Sequence, residues 1–298
     1  MAKILDGKQL SERIRSRLKE QLDEQVKRGK RRPFLAVVQV GDYLPSTVYI
    51  RAKQRACEEI GIDFKHLKLP EMTSMEELRG AVNAINEDDS IDGLLVQSPL
   101  PAHLDEVEVQ RLVSPLKDVD CFHPENVGLL YIGQPRFQPC TAAGIIELML
   151  ANGYDPAGKH AVIIGRSVIV GRPLAIMMML KARGGNATVT VCHSRTPDLP
   201  VLTRQADILI PAVGITEMVR ADWVKDGSIV VDVGINRVPD DTKKRGYRLV
   251  GDVAFEEVEP KVEAIAPVPG GVGPMTVAIL AGNVMKAAGF EIIYQVIE

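Results

Sequence analysis

Residues 162–173, VIIGRSVIVGRP, constrain the fold more than any other stretch of the chain. The run Val162-Ile163-Ile164 is short, β-branched and uncharged, which suits a buried strand. It stops at Gly165. Pro173 then opens an apolar segment, 174–180, of helical length, and proline suits a first helical turn because its missing N–H would be unpaired there anyway. A strand, a glycine turn and a helix N-terminus in succession make an anion site, because free backbone N–H groups and the positive end of the helix dipole face the turn. The pyrophosphate of a dinucleotide is the expected occupant, and an ordinary tight strand-to-helix connection is the alternative. The frame G-x-G-x-x-G puts Gly165, Ser167 and Val170 at its glycine positions, with the next glycine at Gly171, so the usual fingerprint is not met.

The chain repeats this alternation of strand and helix. Leu10, Ile14, Leu18 and Leu22, four apart, predict a helix over 6–27, and Phe34–Val40 reads as a strand. A helix over 45–60 follows, closed by Gly61, then a strand over 64–69. Ser74 and Glu77 form a capping box for a helix ending near Asn86, and 91–97 is the next strand. The order βαβαβ predicts a parallel sheet. From Ser98 to Gln138 the rhythm fails among Pro99, Pro101, Pro115, Pro124 and Pro135, with one helix expected near 105–112; functional loops belong there. A helix over 141–151 restarts the alternation. Strands are expected at 187–192, 208–210 and 229–233, and a last helix over 275–288. The fold class is therefore α/β, with two units in series joined near 138–150.

Of 298 residues, 46% are apolar and 25% charged, with a formal net charge of -3, so neither nucleic acid nor an anionic membrane is an expected partner. The basic run at 27–32 reads as a solvated helix end. The N-terminus has no signal-peptide apolar core, and the apolar run LAIMMML is cut short by Lys181. Cys57, Cys121, Cys140 and Cys192 are widely spaced and the five histidines show no ligand spacing, so reduced thiols, a cytoplasmic location and no metal are expected.

Ser46, Tyr49 and Lys53 share one helix face by their spacing of three and four. A phenol and an amine there can orient a substrate and move a proton, though such a pair is also common on exposed helices. The helix follows a parallel strand through Gly41-Asp42-Tyr43-Leu44, and ligands gather at the carboxyl ends of such strands. Gln97 ends a second strand of the same sheet, as a ligand group or as an amide holding the proline turn. In Lys117-Asp118-Val119-Asp120, an extended backbone would put both carboxylates on one face, either to accept N–H pairs from a heterocycle or simply as a solvated loop. The strand ending at Cys192 carries no carboxylate to take a ribose hydroxyl. Arg166, Ser167, Ser194 and Arg195 instead suit a 2′-phosphate, which favours NADP over NAD. The stretch 267–274, PVPGGVGP, lets main chain approach a flat ligand closely.

With these pieces together, the chain resembles the bifunctional methylenetetrahydrofolate dehydrogenase/methenyltetrahydrofolate cyclohydrolase family. The resemblance is carried by the Ser46/Tyr49/Lys53 helix, GLLVQSPLP, KDVDCFHPENVG, PCTAAG, GRSVIVGRP, CHSRT, DVGIN, GDV and PVPGGVGPMT, which span most of the chain. It implies two domains around a cleft: a folate-binding catalytic domain over 1–140 and a Rossmann-like NADP-binding domain over 141–274. A C-terminal helix over about 275–298 would return to the first domain, and a homodimer would form through the second. It further implies oxidation of 5,10-methylenetetrahydrofolate by NADP⁺, then hydrolysis of the methenyl product to 10-formyltetrahydrofolate. A monofunctional dehydrogenase and a non-catalytic NADP- or folate-binding protein are the rival readings.

Residue by residue, the resemblance makes Lys53 the catalytic lysine, with Gln97 holding the lysine and the water. It puts Tyr49 against the aminobenzoate ring, Asp120 on the pterin edge, and Pro269 and Gly270 against the folate. On the cofactor side it carries over Thr141, Gly165, Arg166, Ser167, Ser194, Ile235 and Thr276. Four positions depart from the family pattern: Cys121 for a glycine, Ser98 for a leucine, Ala142 for a proline and Ala266 for a threonine. Cys121 matters most, because a position that needs φ > 0 would strain a cysteine.

Overall fold

The structure, a computed structural model, describes residues 1–243 and 246–294. In chain order the elements begin with β1 (Lys3–Ile4), α1 (Gly7–Lys27), β2 (Phe34–Val40), α2 (Leu44–Ile60), β3 (Asp63–Leu69), α3 (Met75–Asn86) and β4 (Gly93–Val96). They continue with α4 (Glu106–Leu112), α5 (Pro124–Tyr131), α6 (Cys140–Ala151), β5 (His160–Ile164), α7 (Gly171–Met179) and β6 (Thr188–Cys192). After these come α8 (Leu199–Thr203), β7 (Ile208–Pro211), β8 (Ile229–Val231), β9 (Asn236–Pro239), β10 (Tyr247–Val250), α9 (Phe255–Val258), β11 (Ala264–Ala266) and α10 (Val272–Ala287).

The chain forms two compact units: Met1–Ser11 with Thr141–Thr276, and Glu12–Cys140 with the described residues from Val277 onward. The expected boundary at 140 assigned residues 1–11 to the catalytic unit. They cluster with the other unit because β1 pairs in parallel with β11, Lys3 opposite Ala264. A two-residue strand has no periodicity to read. Of the segment 275–298 expected to return to the catalytic unit, residues 295–298 lie outside the described residues.

In the unit built on 12–140, β2 is central in the parallel order β3-β2-β4. Six of the seven β2 residues are buried, as a sheet covered on both faces requires. Ala36, Val38 and Val40 pack with Leu78, Val82 and Ile85 of α3, each buried valine, leucine or isoleucine side chain contributing about 1.5–3 kcal/mol. Gly61, at φ 99, ends α2 in the left-handed conformation. The Ser74 box has both its bonds: the Ser74 hydroxyl accepts from the Glu77 N–H, and the Glu77 carboxylate accepts from the Ser74 N–H. Ser74→Ala is expected to lower stability by about 1 kcal/mol, read as a shifted urea midpoint with unchanged slope.

The other unit holds a six-stranded parallel sheet in the order β1-β11-β8-β7-β5-β6. From β5 the chain first adds β6 on one side and then β7 on the other, so the order reverses at β5. In an open α/β sheet that reversal leaves a crevice beyond the carboxyl ends of the strands. Val162, Ile164, Leu209, Val230 and Ile265, from four adjacent strands, form one apolar cluster.

Three details differ from the sequence expectation. Helix α7 starts at Gly171, two residues before Pro173, because the Ser167 carbonyl and hydroxyl already draw the N–H groups of 170–172 into a turn. The proline-rich stretch 98–138 contains a second helix, α5, with Pro124 in its first turn and the His123 ring accepting the Glu125 N–H. An antiparallel hairpin, β9–β10, follows the DVGIN segment.

Candidate active site and nucleotide crevice

The loop leaving the C-terminal end of β2 leads into α2, which carries Ser46, Tyr49 and Lys53. Ser46 is buried and donates to the Ser98 carbonyl at 3.3 Å; Tyr49 is 38% exposed; Lys53 is 7% exposed. Gln97 follows β4. Its Nε2 donates to the Ser98 carbonyl at 2.7 Å, which turns its Oε1 to accept from Lys53 Nζ at 3.0 Å. Two strand ends thus converge on one buried amine. Burial lowers the pKa of Lys53, and the Asp120 carboxylate opposes that shift. An amine held this way can reach the neutral state that proton transfer needs.

Thiols surround it. Cys57, one turn along α2, is pushed up to about 12 by burial, and Cys140 is pushed well above the ordinary thiol value by burial and by hydrogen bonding to Asp120. Neither competes with Lys53 as a base or carries charge near neutral pH.

Asp118 and Asp120 do not share a face as an extended backbone would require. The Asp118 carbonyl accepts the Cys121 N–H at 3.1 Å, which folds the segment into a turn. The buried Asp118 carboxylate accepts from the Phe122 and His123 N–H groups and from Asn126 Nδ2, at 3.1, 2.8 and 2.8 Å. Burial raises its pKa, and those three bonds oppose the rise. Asp118 therefore holds the loop, and Asp120 is left half-buried beside Lys53. Cys121 has φ 65 and is 2% exposed. A non-glycine residue there costs on the order of 1–2 kcal/mol, which burial of the side chain offsets. The turn is built with a cysteine at its left-handed position.

Asn283, which the sequence did not single out, fastens the same region. It is 1% exposed and donates to the carbonyls of Val119 and Gln138, both at 2.8 Å. Its partners lie about half the chain away, beyond the reach of any local pattern.

In the other unit, Gly165 ends β5 with φ 124, and a Cβ there would lie 2.4 Å from the Ala212 carbonyl oxygen. A Cβ on Gly171 would lie 2.2 Å from the Gly165 carbonyl oxygen. Only glycine fits either position, which explains a two-glycine turn outside the G-x-G-x-x-G frame. Ser167 Oγ accepts from the Val170 N–H at 3.1 Å, so this hydroxyl staples the turn and keeps only its own O–H to donate. Ile164 pairs with Cys192, and the Gly165 N–H reaches the Cys192 carbonyl at 2.9 Å. Exposed Arg166 and Ser167 therefore leave one strand beside exposed Ser194 and Arg195 leaving the next. That pairing of two arginines with a glycine turn, and no carboxylate among 193–195, fits a phosphorylated dinucleotide.

Thr276 Oγ1 meets Thr141 Oγ1 at 3.3 Å, and Ile235 is 44% exposed beyond β8. Pro269 is exposed, and Gly270, at φ 112, accepts the Lys8 N–H through its carbonyl at 2.8 Å. These last two belong to the nucleotide-crevice unit, whereas Tyr49, Lys53, Gln97 and Asp120 belong to the other.

Residues 5–120 match the catalytic-domain model of tetrahydrofolate dehydrogenase/cyclohydrolase, and residues 139–291 match its NAD(P)-binding-domain model. The chain belongs to this family. A bifunctional protein FolD from Cytophaga hutchinsonii is 49% identical over 97% of the chain and 99% of that relative. The crystal structure of the bifunctional FolD from Campylobacter jejuni superposes with a TM-score of 0.90 at 47% identity, covering 97% of this chain and 99% of that one. The Trypanosoma brucei enzyme, solved with NADP cofactor and inhibitor, gives a TM-score of 0.92 at 38% identity, with 97% of each chain covered. Tyr49, Lys53, Gln97 and Asp120 fall inside the catalytic-domain match, and all the nucleotide-side candidates fall inside the NAD(P)-binding match.

Proposed function

We infer that this family member oxidises 5,10-methylenetetrahydrofolate with NADP⁺ and hydrolyses the resulting methenyl cation to 10-formyltetrahydrofolate. The observation that carries the reading is the buried Lys53 amine, bonded to Gln97 and beside Asp120. NADP⁺, held by the Gly165 turn and the Arg166/Ser167 and Ser194/Arg195 pair, supplies the hydride acceptor. Thr141, Ile235 and Thr276 complete that side of the site. The protein's task in oxidation is placement, because the nitrogens flanking the methylene carbon already favour hydride loss.

Asp120 accepts the N–H edge of the pterin, Tyr49 stacks on the aminobenzoate ring, and Pro269 and Gly270 bring main chain against the folate. In hydrolysis, neutral Lys53 takes a proton from water as its oxygen bonds to the cationic carbon. The amine then gives a proton to the nitrogen that leaves as the ring opens, and the second water proton is lost as the formyl carbonyl forms. Gln97 Oε1 holds one lysine N–H and so fixes the direction of the lone pair. The cationic substrate itself lowers the lysine pKa further.

The reading carries with it a homodimer through the nucleotide-binding unit and a cytoplasmic setting, which four buried free cysteines suit. Among the described residues, no helix is long and apolar enough to cross a membrane.

The test follows NADPH and methenyl absorbance together during turnover. NADPH should form with little methenyl accumulation. Accumulation of methenyltetrahydrofolate would remove the hydrolase half of the reading, and absence of NADPH the oxidising half. Faster reduction of NAD⁺ than of NADP⁺ would overturn the phosphate role given to Arg166, Ser167, Ser194 and Arg195.

A further inference from the structure

Two fully buried carboxylates, Asp232 and Asp252, take no part in the steps above. Asp232 Oδ1 accepts the N–H groups of Gly234 and Asp252 at 3.0 and 2.9 Å, and Oδ2 accepts that of Val253 at 3.0 Å. Asp252 Oδ2 accepts the N–H groups of Val213 and Gly214 at 2.7 and 3.0 Å, and Oδ1 accepts Asn236 Nδ2 at 3.1 Å. The packing leaves no slack, since a Cβ on Gly234 would lie 2.1 Å from Asp252 Oδ1, and one on Gly251 would lie 1.7 Å from Asp232 Oδ2. Burial and the neighbouring Asp252 push Asp232 up to about 7. Two carboxylates removed from water are costly unless they satisfy many donors, and these satisfy six between them.

What they fasten is specific. The three tied segments are 213–214 after β7, 234–236 after β8, and 251–253 after β10. At the strand-order reversal, the pyrophosphate belongs at the Gly165 turn and the adenosine ribose at the end of β6. The nicotinamide half must then run to the opposite side of β5, where β7 and β8 end. The turn after β7 also backs the glycine turn itself, through the close approach of Ala212 to Gly165.

We propose that Asp252, supported by Asp232, is a positioning residue for hydride transfer, clamping the turns after β7 and β8 into a fixed seat for the nicotinamide half of the dinucleotide. The proposal rests on the NADP-dependent reading above, so wild-type NADP⁺ reduction is measured first; its absence would fail that reading rather than this one. Asp252→Asn keeps the shape but turns an amide NH₂ or a weaker carbonyl acceptor toward groups that need a carboxylate. Its kcat/KM for NADP⁺ should fall roughly 10–100-fold, as for loss of a charge-assisted hydrogen bond. Its KM for methylenetetrahydrofolate, and its hydrolysis of supplied methenyltetrahydrofolate, should stay within about twofold of wild type. An unchanged NADP⁺ response overturns the proposal, and so does a parallel loss of both activities, the mark of a general packing role. Should Asp252→Asn not yield folded protein, Asn236→Ala removes the amide that donates to Asp252 Oδ1 and to the Gly251 carbonyl, and is read by the same split between the two activities: a selective loss of NADP⁺ reduction supports the clamp, and any other pattern overturns it.

Discussion

Lys53→Met is expected to lower methenyltetrahydrofolate hydrolysis by roughly 10²–10⁴-fold, the range for loss of a positioned general base, while the fold and NADP⁺ binding survive. Methionine keeps the length and burial of the side chain and removes only the amine. Lys53→Arg should be nearly as inactive, because a guanidinium supplies the charge and cannot act as a base near neutral pH. In the wild type, hydrolysis should rise with pH through the lowered pKa of Lys53, since the base works only when neutral and is protonated below that value. Stability separates this account from a structural one. Methionine removes the cost of burying the amine but leaves Gln97 Oε1 without its donor, so any loss of stability in Lys53→Met should stay within about 1–3 kcal/mol in urea, too little to account for the loss of hydrolysis. Hydrolysis by Lys53→Met at the wild-type rate would end the base assignment.

How much of this was legible in the sequence depended on the distance over which each residue acts. Ser46, Tyr49 and Lys53 sit on one helix with spacings of three and four, and Ser74 caps its own helix; both are local patterns that survive in a single sequence. The Gly165 turn was legible as strand, glycine and helix in succession, although the start of α7 was not, because it is set by Ser167 capturing N–H groups ahead of Pro173. The residue pattern alone could not tell Asp118 from Asp120, for a different reason. Their roles are separated by a turn and by three donors that only the folded loop supplies. Asn283 looks like an ordinary polar residue in the chain, and the motifs DVGIN and GDV contain Asp232 and Asp252 without showing what they hold. Their meaning lies in partners that folding brings from elsewhere, as does the pairing of β1 with β11.

Gly165→Ala should separate the two activities in the opposite sense from Lys53→Met. The added methyl group meets the Ala212 carbonyl oxygen at 2.4 Å, and φ 124 is a conformation that an alanine rarely adopts. The opposing atom is backbone in the turn after β7, so it cannot rotate away as a flexible side chain would, and the turn must open. A displacement of about 1 Å at a site that works by placement costs on the order of 10²-fold, so NADP⁺ reduction should fall by at least that much. Lys53, Gln97 and Asp120 belong to the other compact unit and depend on contacts made within it. Hydrolysis of methenyltetrahydrofolate supplied directly should therefore persist near the wild-type rate in Gly165→Ala. Mixing the two variants in one vessel with methylenetetrahydrofolate and NADP⁺ gives a direct check. Lys53→Met should release methenyltetrahydrofolate, and Gly165→Ala should consume it, with 10-formyltetrahydrofolate appearing only when both are present. If Gly165→Ala alone still reduces NADP⁺ at the wild-type rate, the glycine turn is not the seat of the cofactor.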